Sequence, residues 1–288
     1  MIRAPLGDKQ YWEGRESKDQ QWIERARKLL AEPSANPVYR PQFAFDVAKD
    51  SLTSGIRAYS QGRNVVEIAT CFPLLLDAWE MSNSAAHEVC AQNNLQVCRD
   101  WTFELTDLSH YIWCFWLVSL ALALQIPDDQ WRRLVALIGE GGQDVLLDRI
   151  IAAREPGRVI GEQLLHAKPY SRLLKAIDAP QEQQALLLLA FVEHWYPELN
   201  RRGKQQPWWY VYGDPVKHPL EMEGYFGRWC FEAVAAVKAF GLDDSACIGH
   251  EHYPADLLHP SEAVIPAPAP ARVEKAGWLA RLFGRSDE

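Results

Sequence analysis

Three residues between positions 247 and 252 have the types and spacing of metal ligands. Cys247, His250 and His252 form a C-x-x-H-x-H pattern, and Asp243 and Asp244 lie a few residues before them. Zinc prefers thiolate and imidazole ligands, and a structural site uses four of them. The spacing is not that of a known zinc finger. A metal-binding protein or an enzyme built on this cluster is therefore the alternative interpretation, and neither a metal nor a cofactor is predicted.

Two other groups have the chemistry of acid–base catalysts. Glu193 and His194 are adjacent in a leucine-rich stretch, and a carboxylate beside an imidazole can move protons. Such neighbours more often lie on the surface of a helix. Glu232 stands alone in an apolar run, with Arg228 one helical turn before it. We therefore predict a structural role for Arg228, Trp229 and Glu232, as an ion pair or a hydrogen-bonded anchor.

Short motifs of common enzymes are absent from the sequence. It contains no G-x-x-x-x-G-K-[ST], G-x-G-x-x-G, G-x-S-x-G or H-E-x-x-H. The first two patterns form phosphate-binding loops, the third forms a nucleophile elbow, and the fourth forms a zinc site. The sequence therefore favours a protein that is not an enzyme.

A helix should carry Glu232, because apolar residues recur around it at steps of three and four. These positions are Tyr225, Trp229, Ala233, Ala236, Val237 and Phe240. Gly241 follows at the position where a left-handed residue commonly ends a helix. The pattern predicts a long final helix that starts after Gly224 and ends at Gly241.

Helical periodicity extends over most of the chain, and strand patterns are nearly absent. The sequence predicts helices over 19–31, 43–60, 64–90 with a kink at Pro73, 103–125, 128–139, 143–154, 159–167, 170–178 and 181–196. We expect an all-α fold, a helical bundle of two packed helical subdomains. The predicted domains are 1–126 and 127–260, followed by a Pro/Ala linker and flexible tail over 261–288.

The segment 197–222 interrupts this periodicity, because prolines and glycines exclude a regular helix there. It contains Trp208, Trp209 and Tyr210, so it is predicted to be a long aromatic loop before the last long helix. Loops of this length are often functional.

The negative charge is concentrated in two blocks. The net charge is −8; residues 71–124 carry six acids and one base, and residues 216–258 carry seven acids and three bases. Such a field repels nucleic acid and attracts a basic partner. The abundance of tryptophan, 12 in the chain, also suits a protein that binds other proteins.

Location is predicted from the cysteines and from the longest apolar run. The six cysteines form no C-x-x-C pattern, which favours buried free thiols in a reducing cytosol. The run Tyr111–Ile126 has 16 residues, fewer than the ~20 that span a bilayer. We expect a buried helix and no stable membrane association. A helical scaffold or adaptor with a membrane contact through its tail is a further alternative.

Three motifs resemble a known family. The stretch G-Y-F-G-R-W-C-F-E-A-V-A-A-V-K-A-F-G-L-D-D, followed by Y-P-A-D-L-L, resembles the C-terminal domain of the PoNi immunity proteins. A-Y-S-Q-G-R at 58–63 and F-P-L-L-L-D-A-W at 72–79 are similar to the family's N-terminal domain. The resemblance covers most of residues 1–258 and leaves out the tail.

This resemblance implies a function. PoNi proteins are immunity factors against PoNe-type DNase toxins, which bacteria deliver through type VI and related secretion systems. The implied partner is a secreted nuclease toxin, bound in the cytosol of the producing cell. An acidic protein suits the basic cleft of a nuclease. The sequence leaves a homodimer open.

The family supplies no interface residues, so charge and expected exposure select the candidates. The candidate toxin-binding residues are Glu221, Glu223, Asp243, Asp244, Glu251 and Asp256 as an acidic patch, with Trp208, Trp209 and Tyr210 as aromatic anchors.

Overall fold

The fold is all-α, as the helical periodicity predicted. The computed structural model describes residues 1–94, 96 and 103–260, and within those ranges no β-strand forms. The helices are α1 (Lys9–Ala31), α2 (Arg40–Ser60), α3 (Val65–Ile68), α4 (Phe72–Gln92), α5 (Leu108–Ala123), α6 (Asp128–Ile138), α7 (Val145–Ala152), α8 (Ala167–Asp178), α9 (Gln181–Glu198) and α10 (Phe231–Phe240).

Helix α5 is the centre of the core. Every side chain from Tyr111 to Leu122 is buried, and Asp107 caps the helix by accepting hydrogen bonds from the next turn. Helix α10 packs against α5, α2 packs along α4, and α8 packs against α9. A single cluster of buried apolar residues extends from Ala4 to Leu257, through both predicted subdomains. Among the described helices, none combines the length and apolarity that crossing a bilayer requires.

Helices α1 and α4 begin at residues other than those that the periodicity predicted. Residues 1–18 were predicted to be irregular, but α1 begins at Lys9, because Asp8 accepts a hydrogen bond from the Tyr11 amide at 2.8 Å. Trp12, with 2% of its surface exposed, fixes this added stretch to the core. The kink predicted at Pro73 was also wrong. Pro73 lies in the first turn of α4, where its missing N–H costs no hydrogen bond.

The end of the chain differs from the prediction in a similar way. Helix α10 starts at Phe231, so Tyr225 and Trp229 lie in an extended segment before it. Gly241 does end the helix in the left-handed region at φ 67°, which confirms the predicted cap. No helix forms over 159–167, because Asp148 binds this segment through the Gly161 amide and the Arg158 guanidinium. The predicted tail, 261–288, lies outside the described residues.

A buried hydroxyl joins the extended segment to the first half of the chain. Ser60, at the end of α2, donates a hydrogen bond to the Phe226 carbonyl at 2.6 Å. The same oxygen accepts one from the Trp229 indole nitrogen at 2.8 Å. Gly227 lies between them at φ +105°, and a Cβ there would lie 2.4 Å from the Ser60 oxygen. Only glycine fits this close approach, which we call the Ser60 seam (Ser60, Phe226, Gly227 and Trp229).

Replacing the seam hydroxyl should destabilise the protein. Ser60→Ala leaves the Trp229 indole N–H and the Phe226 carbonyl buried without partners. Each such group costs about 1–3 kcal/mol, so we expect the free energy of unfolding to fall by about 2 kcal/mol or more. Urea denaturation measures this change. The control is Ser84→Ala on the exposed side of α4, expected to change stability by less than about 0.5 kcal/mol. Equal effects of the two variants would contradict the role assigned to the seam.

Candidate functional site

Glu223, one of the six candidate acids, is tied to helix α1. Arg15 Nη1 lies 2.8 Å from its carboxylate, and Lys18 also binds it. The hydrogen bond from Lys18 is the main cause of the lowered pKa of Glu223. The two basic side chains compensate its charge, so Glu223 contributes less to an outward acidic surface than the sequence suggested.

Two further candidate acids are bound within the last segment of the fold. Asp244 is 7% exposed, accepts a hydrogen bond from the Tyr253 hydroxyl, and lies 2.9 Å from His259 Nε2. Asp256 is bound by Arg3 from the start of the chain. Both carboxylates therefore hold the segment in place, and their negative charges point into the protein.

Glu221, Asp243 and Glu251 are the candidate acids that remain exposed. The Asp243 carboxylate accepts hydrogen bonds from Ser245, which lower its pKa, so it is charged at neutral pH. Glu251 lies 3.4 Å from Arg228. Because this pair is at the surface, solvent screens most of the attraction between the two charges. Glu221 lies on the short 3₁₀ turn Leu220–Met222.

The three aromatic candidates differ in accessibility. Trp208 is 42% exposed and packs its inner edge on Trp113, with 5.8 Å between ring centroids. Trp209 is only 2% exposed and stacks on Trp195, so its ring is part of the core. Tyr210 is half-buried. Trp208 and Tyr210 are therefore the aromatic candidates that a partner can reach.

Arg228 connects the aromatic loop to the acidic segment. Its guanidinium lies 5.1 Å from the centre of the Tyr196 ring, and Tyr196 stacks on Tyr210 at 4.5 Å. The predicted pair between Arg228 and Glu232 was wrong. Because α10 starts only at Phe231, Arg228 is not on the helix and pairs with Glu251 instead. This arrangement brings the tyrosine stack next to the exposed Glu251.

Sequence reasoning missed the contribution of helix α9. Glu193 is exposed, and its charge acts on both Cys247 and His250 in the acidic segment. His194 does not pair with Glu193; its Nδ1 lies 2.8 Å from the Ala190 carbonyl of its own helix. The sequence did indicate that α9 has an exposed side, because Glu193 and Pro197 are four residues apart on the polar side of the leucine-rich helix. We call the resulting surface the aromatic–acidic face: Tyr196, Tyr210, Glu193, Asp243 and Glu251.

The candidate metal cluster does not form. Among residues 1–94, 96 and 103–260, no three His, Cys, Asp or Glu side chains come together as metal ligands. His252 lies 3.1 Å from the Arg228 carbonyl through Nδ1, and burial lowers its pKa to about 3. His250 Nδ1 accepts the His252 amide at 3.1 Å. Cys247 is fully buried. These three side chains therefore form no ligand set in the described part of the chain, and their geometry gives the alternative interpretation no support.

Glu232 is a buried carboxylate held by aromatic donors. It is 0% exposed, and its Oε1 accepts hydrogen bonds from the Tyr170 hydroxyl at 2.8 Å and the Trp195 indole at 3.1 Å. Within the described residues, its Oε2 has no partner in hydrogen-bond geometry. Burial raises the pKa of Glu232 to about 7. The anchor is therefore a hydrogen-bonded carboxyl that joins α8, α9 and α10, and not an ion pair.

Most described cysteines agree with the prediction of free thiols. Cys71, Cys114, Cys230 and Cys247 are free. Cys90 on α4 is disulfide-bonded, so the prediction was wrong at that residue. Cys98 lies outside the described residues.

Two family models match the chain and together span most of it. The model for the N-terminal part of PoNe immunity proteins (PoNi) matches residues 3–136, and the model for the C-terminal part matches residues 142–257. The chain belongs to the PoNi immunity protein family. The resemblance found in the sequence motifs is thereby confirmed.

A solved structure shares the PoNi chain's fold. The crystal structure of protein PA2201 from Pseudomonas aeruginosa is similar, with a TM-score of 0.65 and 17% sequence identity, and the match covers 89% of each chain. At this identity the likeness concerns the fold alone. No curated protein matches the chain.

The PoNi motifs meet at the boundary between the two matched parts. Ser60 of A-Y-S-Q-G-R bonds to Trp229 of G-Y-F-G-R-W, and Tyr59 bonds to Asp256 of Y-P-A-D-L. The motif residue Glu232 is bound inside the core. The residues that identify the family therefore hold its two parts together.

The stability of the protein should depend on the ionisation of Glu232. The carboxyl keeps its proton up to a pKa of about 7 in the folded state, against 4.5 for an exposed glutamate in the unfolded chain. Between these values the folded chain holds a proton that the unfolded chain releases, so stability falls as pH rises and then levels off. The shift corresponds to a loss of about 3 kcal/mol.

Glu232→Gln tests this dependence, because its amide oxygen can accept the Tyr170 and Trp195 hydrogen bonds without ionising. Urea denaturation at pH values from about 5 to 8 should show the stability difference between variant and wild type shifting in favour of the variant as pH rises. Parallel stability curves would show that Glu232 does not titrate in this range.

Proposed function

We propose that this PoNi protein binds a cognate PoNe-type DNase toxin in the cytosol and neutralises it by covering the toxin's basic DNA-binding cleft. The observation that carries the proposal is the match of both family models, over residues 3–136 and 142–257. The protein acts as an inhibitor and not as an enzyme. Secretion of the toxin by a type VI or related system is part of the same proposal.

The charge and the exposed side chains of the chain support this mode of binding. A nuclease must present positive charge to the phosphate backbone, and this chain has a net charge of −8. The aromatic–acidic face offers the exposed carboxylates of Glu193, Asp243 and Glu251 with the tyrosine stack, and the same aromatic loop exposes Trp208. Complementary charge speeds encounter, and aromatic anchors slow dissociation.

The aromatic–acidic face is also favoured because several residues of the family motifs are already engaged in contacts within the fold. The motif residues Tyr59, Ser60, Trp229 and Asp256 are engaged in contacts between the two parts of the fold. Contacts that distinguish one toxin from another therefore belong to other surfaces. Protection of a chromosome requires a dissociation constant of about 1 nM or lower, or about −12 kcal/mol.

A cytosolic location accords with the free thiols at four described cysteines, while the disulfide at Cys90 is the exception.

The decisive experiment expresses the nuclease domain encoded beside this protein, with and without the protein in excess. Rescue of growth, inhibition of DNA cleavage and co-purification are expected. Continued cleavage in the presence of excess protein would contradict the proposal, and light scattering of the complex tests the homodimer.

Removing the exposed tryptophan should weaken the complex. Trp208→Ala is expected to raise the dissociation constant by about 30-fold, or about 2 kcal/mol, mainly through a faster dissociation rate. Surface plasmon resonance measures both rates. The control Tyr39→Ala removes another half-exposed aromatic side chain, at the start of α2, and should leave binding unchanged. An unchanged dissociation rate for Trp208→Ala would remove this ring from the interface.

Reversing the exposed acids should slow association. The double variant Asp243→Lys and Glu251→Lys is expected to lower the association rate by about tenfold at low salt and to reduce its salt dependence. Asp244 is left intact because its carboxylate is bound by Tyr253 and His259. The double variant Glu13→Lys and Glu24→Lys, at exposed positions on α1, makes the same change in net charge and is the control. Equal slowing by the control would show that overall charge, and not this face, steers binding.

A further inference from the structure

The first four residues form a strap at the end of α2. The backbone amides of Arg3 and Ala4 donate hydrogen bonds to the Ser60 carbonyl at 2.8 and 3.0 Å. Arg3 Nη1 donates to the carbonyls of Tyr59 at 2.8 Å and Arg63 at 2.7 Å. Carbonyls at the end of a helix lack partners in the helix itself, and a cation there is favourable. Arg3 is thus fixed to α2 independently of its other contacts.

The same guanidinium holds the last segment of the fold. Arg3 Nε donates to Asp256 Oδ2, and the Tyr59 hydroxyl donates to the other oxygen of the same carboxylate. The Arg3 and Asp256 side chains are 21% and 13% exposed. Arg3 also lies 4.5 Å from the centre of the Tyr59 ring. Partial burial reduces the screening of this ion pair by solvent.

A cavity lies between the strap and part of this segment. It has a volume of about 130 Å³ and is lined by the strap, Tyr59, Trp229, His250 and Tyr253. The strap and the segment around His250 are therefore not packed tightly against each other. The carboxylate of Asp256 bridges them through Arg3 and Tyr59.

From Asp256 a short series of contacts leads to the exposed acids. Tyr253 lies three residues earlier and donates its hydroxyl hydrogen bond to Asp244. The Tyr253 amide donates to the His250 carbonyl at 3.0 Å. Asp243 and Glu251 are chain neighbours of Asp244 and His250, so this series of contacts connects Asp256 to both exposed carboxylates.

We infer that Arg3 is a positioning residue for the toxin: from the first half of the chain it holds the segment 243–259, and thereby sets the geometry of Asp243 and Glu251 on the aromatic–acidic face. The inference rests on the proposed function, since it assigns those two acids to the toxin interface. Arg3 itself need not contact the toxin. A purely structural arginine would affect the stability of the whole chain and not the order of one segment.

Hydrogen exchange followed by mass spectrometry on the full chain tests whether Arg3 holds the segment 243–259 in place. In Arg3→Ala and in Asp256→Asn, amides in 243–259 should exchange about tenfold faster, while α5 and α9 exchange at the wild-type rate. Arg3→Lys keeps a charge near Asp256 and should restore part of the protection. Arg25→Ala, at an exposed position on α1, is the control. Unchanged exchange in 243–259, or equal acceleration throughout the chain, would overturn the inference.

Toxin binding tests whether Arg3 positions the acids that contact the toxin. Arg3→Ala should raise the dissociation constant for the catalytically inactive toxin domain at least fivefold, and Arg3→Lys should recover part of that loss. If the segment loosens but toxin affinity stays unchanged, Arg3 does not position the interface and the inference is wrong, while the proposed function stands. If the wild-type chain does not bind the toxin, the proposed function fails, and the exchange rates still decide whether Arg3 holds the segment.

Discussion

The fold depends on one buried hydroxyl at the junction of its two parts. The oxygen of Ser60 donates to the Phe226 carbonyl and accepts from the Trp229 indole, so it satisfies two polar groups that no water reaches. Gly227 is required between them because any Cβ would displace the hydroxyl. The Ser60 seam therefore joins the end of α2 to the segment before α10 at a close approach, with both buried polar groups paired.

Most residues of the PoNi motifs are engaged in contacts within the fold, and Asp243, in the G-L-D-D end of the C-terminal motif, is an exposed exception. The PoNi motifs are occupied by contacts across the seam and around Glu232, and those contacts leave them little exposed surface. The exposed acids and aromatics lie at the edges of the motifs, on the aromatic loop and on the segment after α10.

Much of the fold followed from the sequence, because apolar periodicity reports burial directly. The central helix and the Gly241 cap were both predictable from local pattern. Contacts between distant segments were not. The burial of Asp244 and Trp209 depends on Tyr253 and Trp195, and nothing in the local sequence indicates those partners. Arg228 was misassigned for the same reason, since its partner follows from where α10 starts and not from helical spacing.

Competition with DNA tests the proposed occlusion most directly. The catalytically inactive toxin domain would be bound to a labelled DNA duplex and titrated with this protein while fluorescence anisotropy reports the bound DNA. If the protein covers the basic cleft, DNA should be released, and the apparent affinity of the protein should fall in proportion to the DNA concentration. A stable complex of toxin, DNA and this protein would contradict the account.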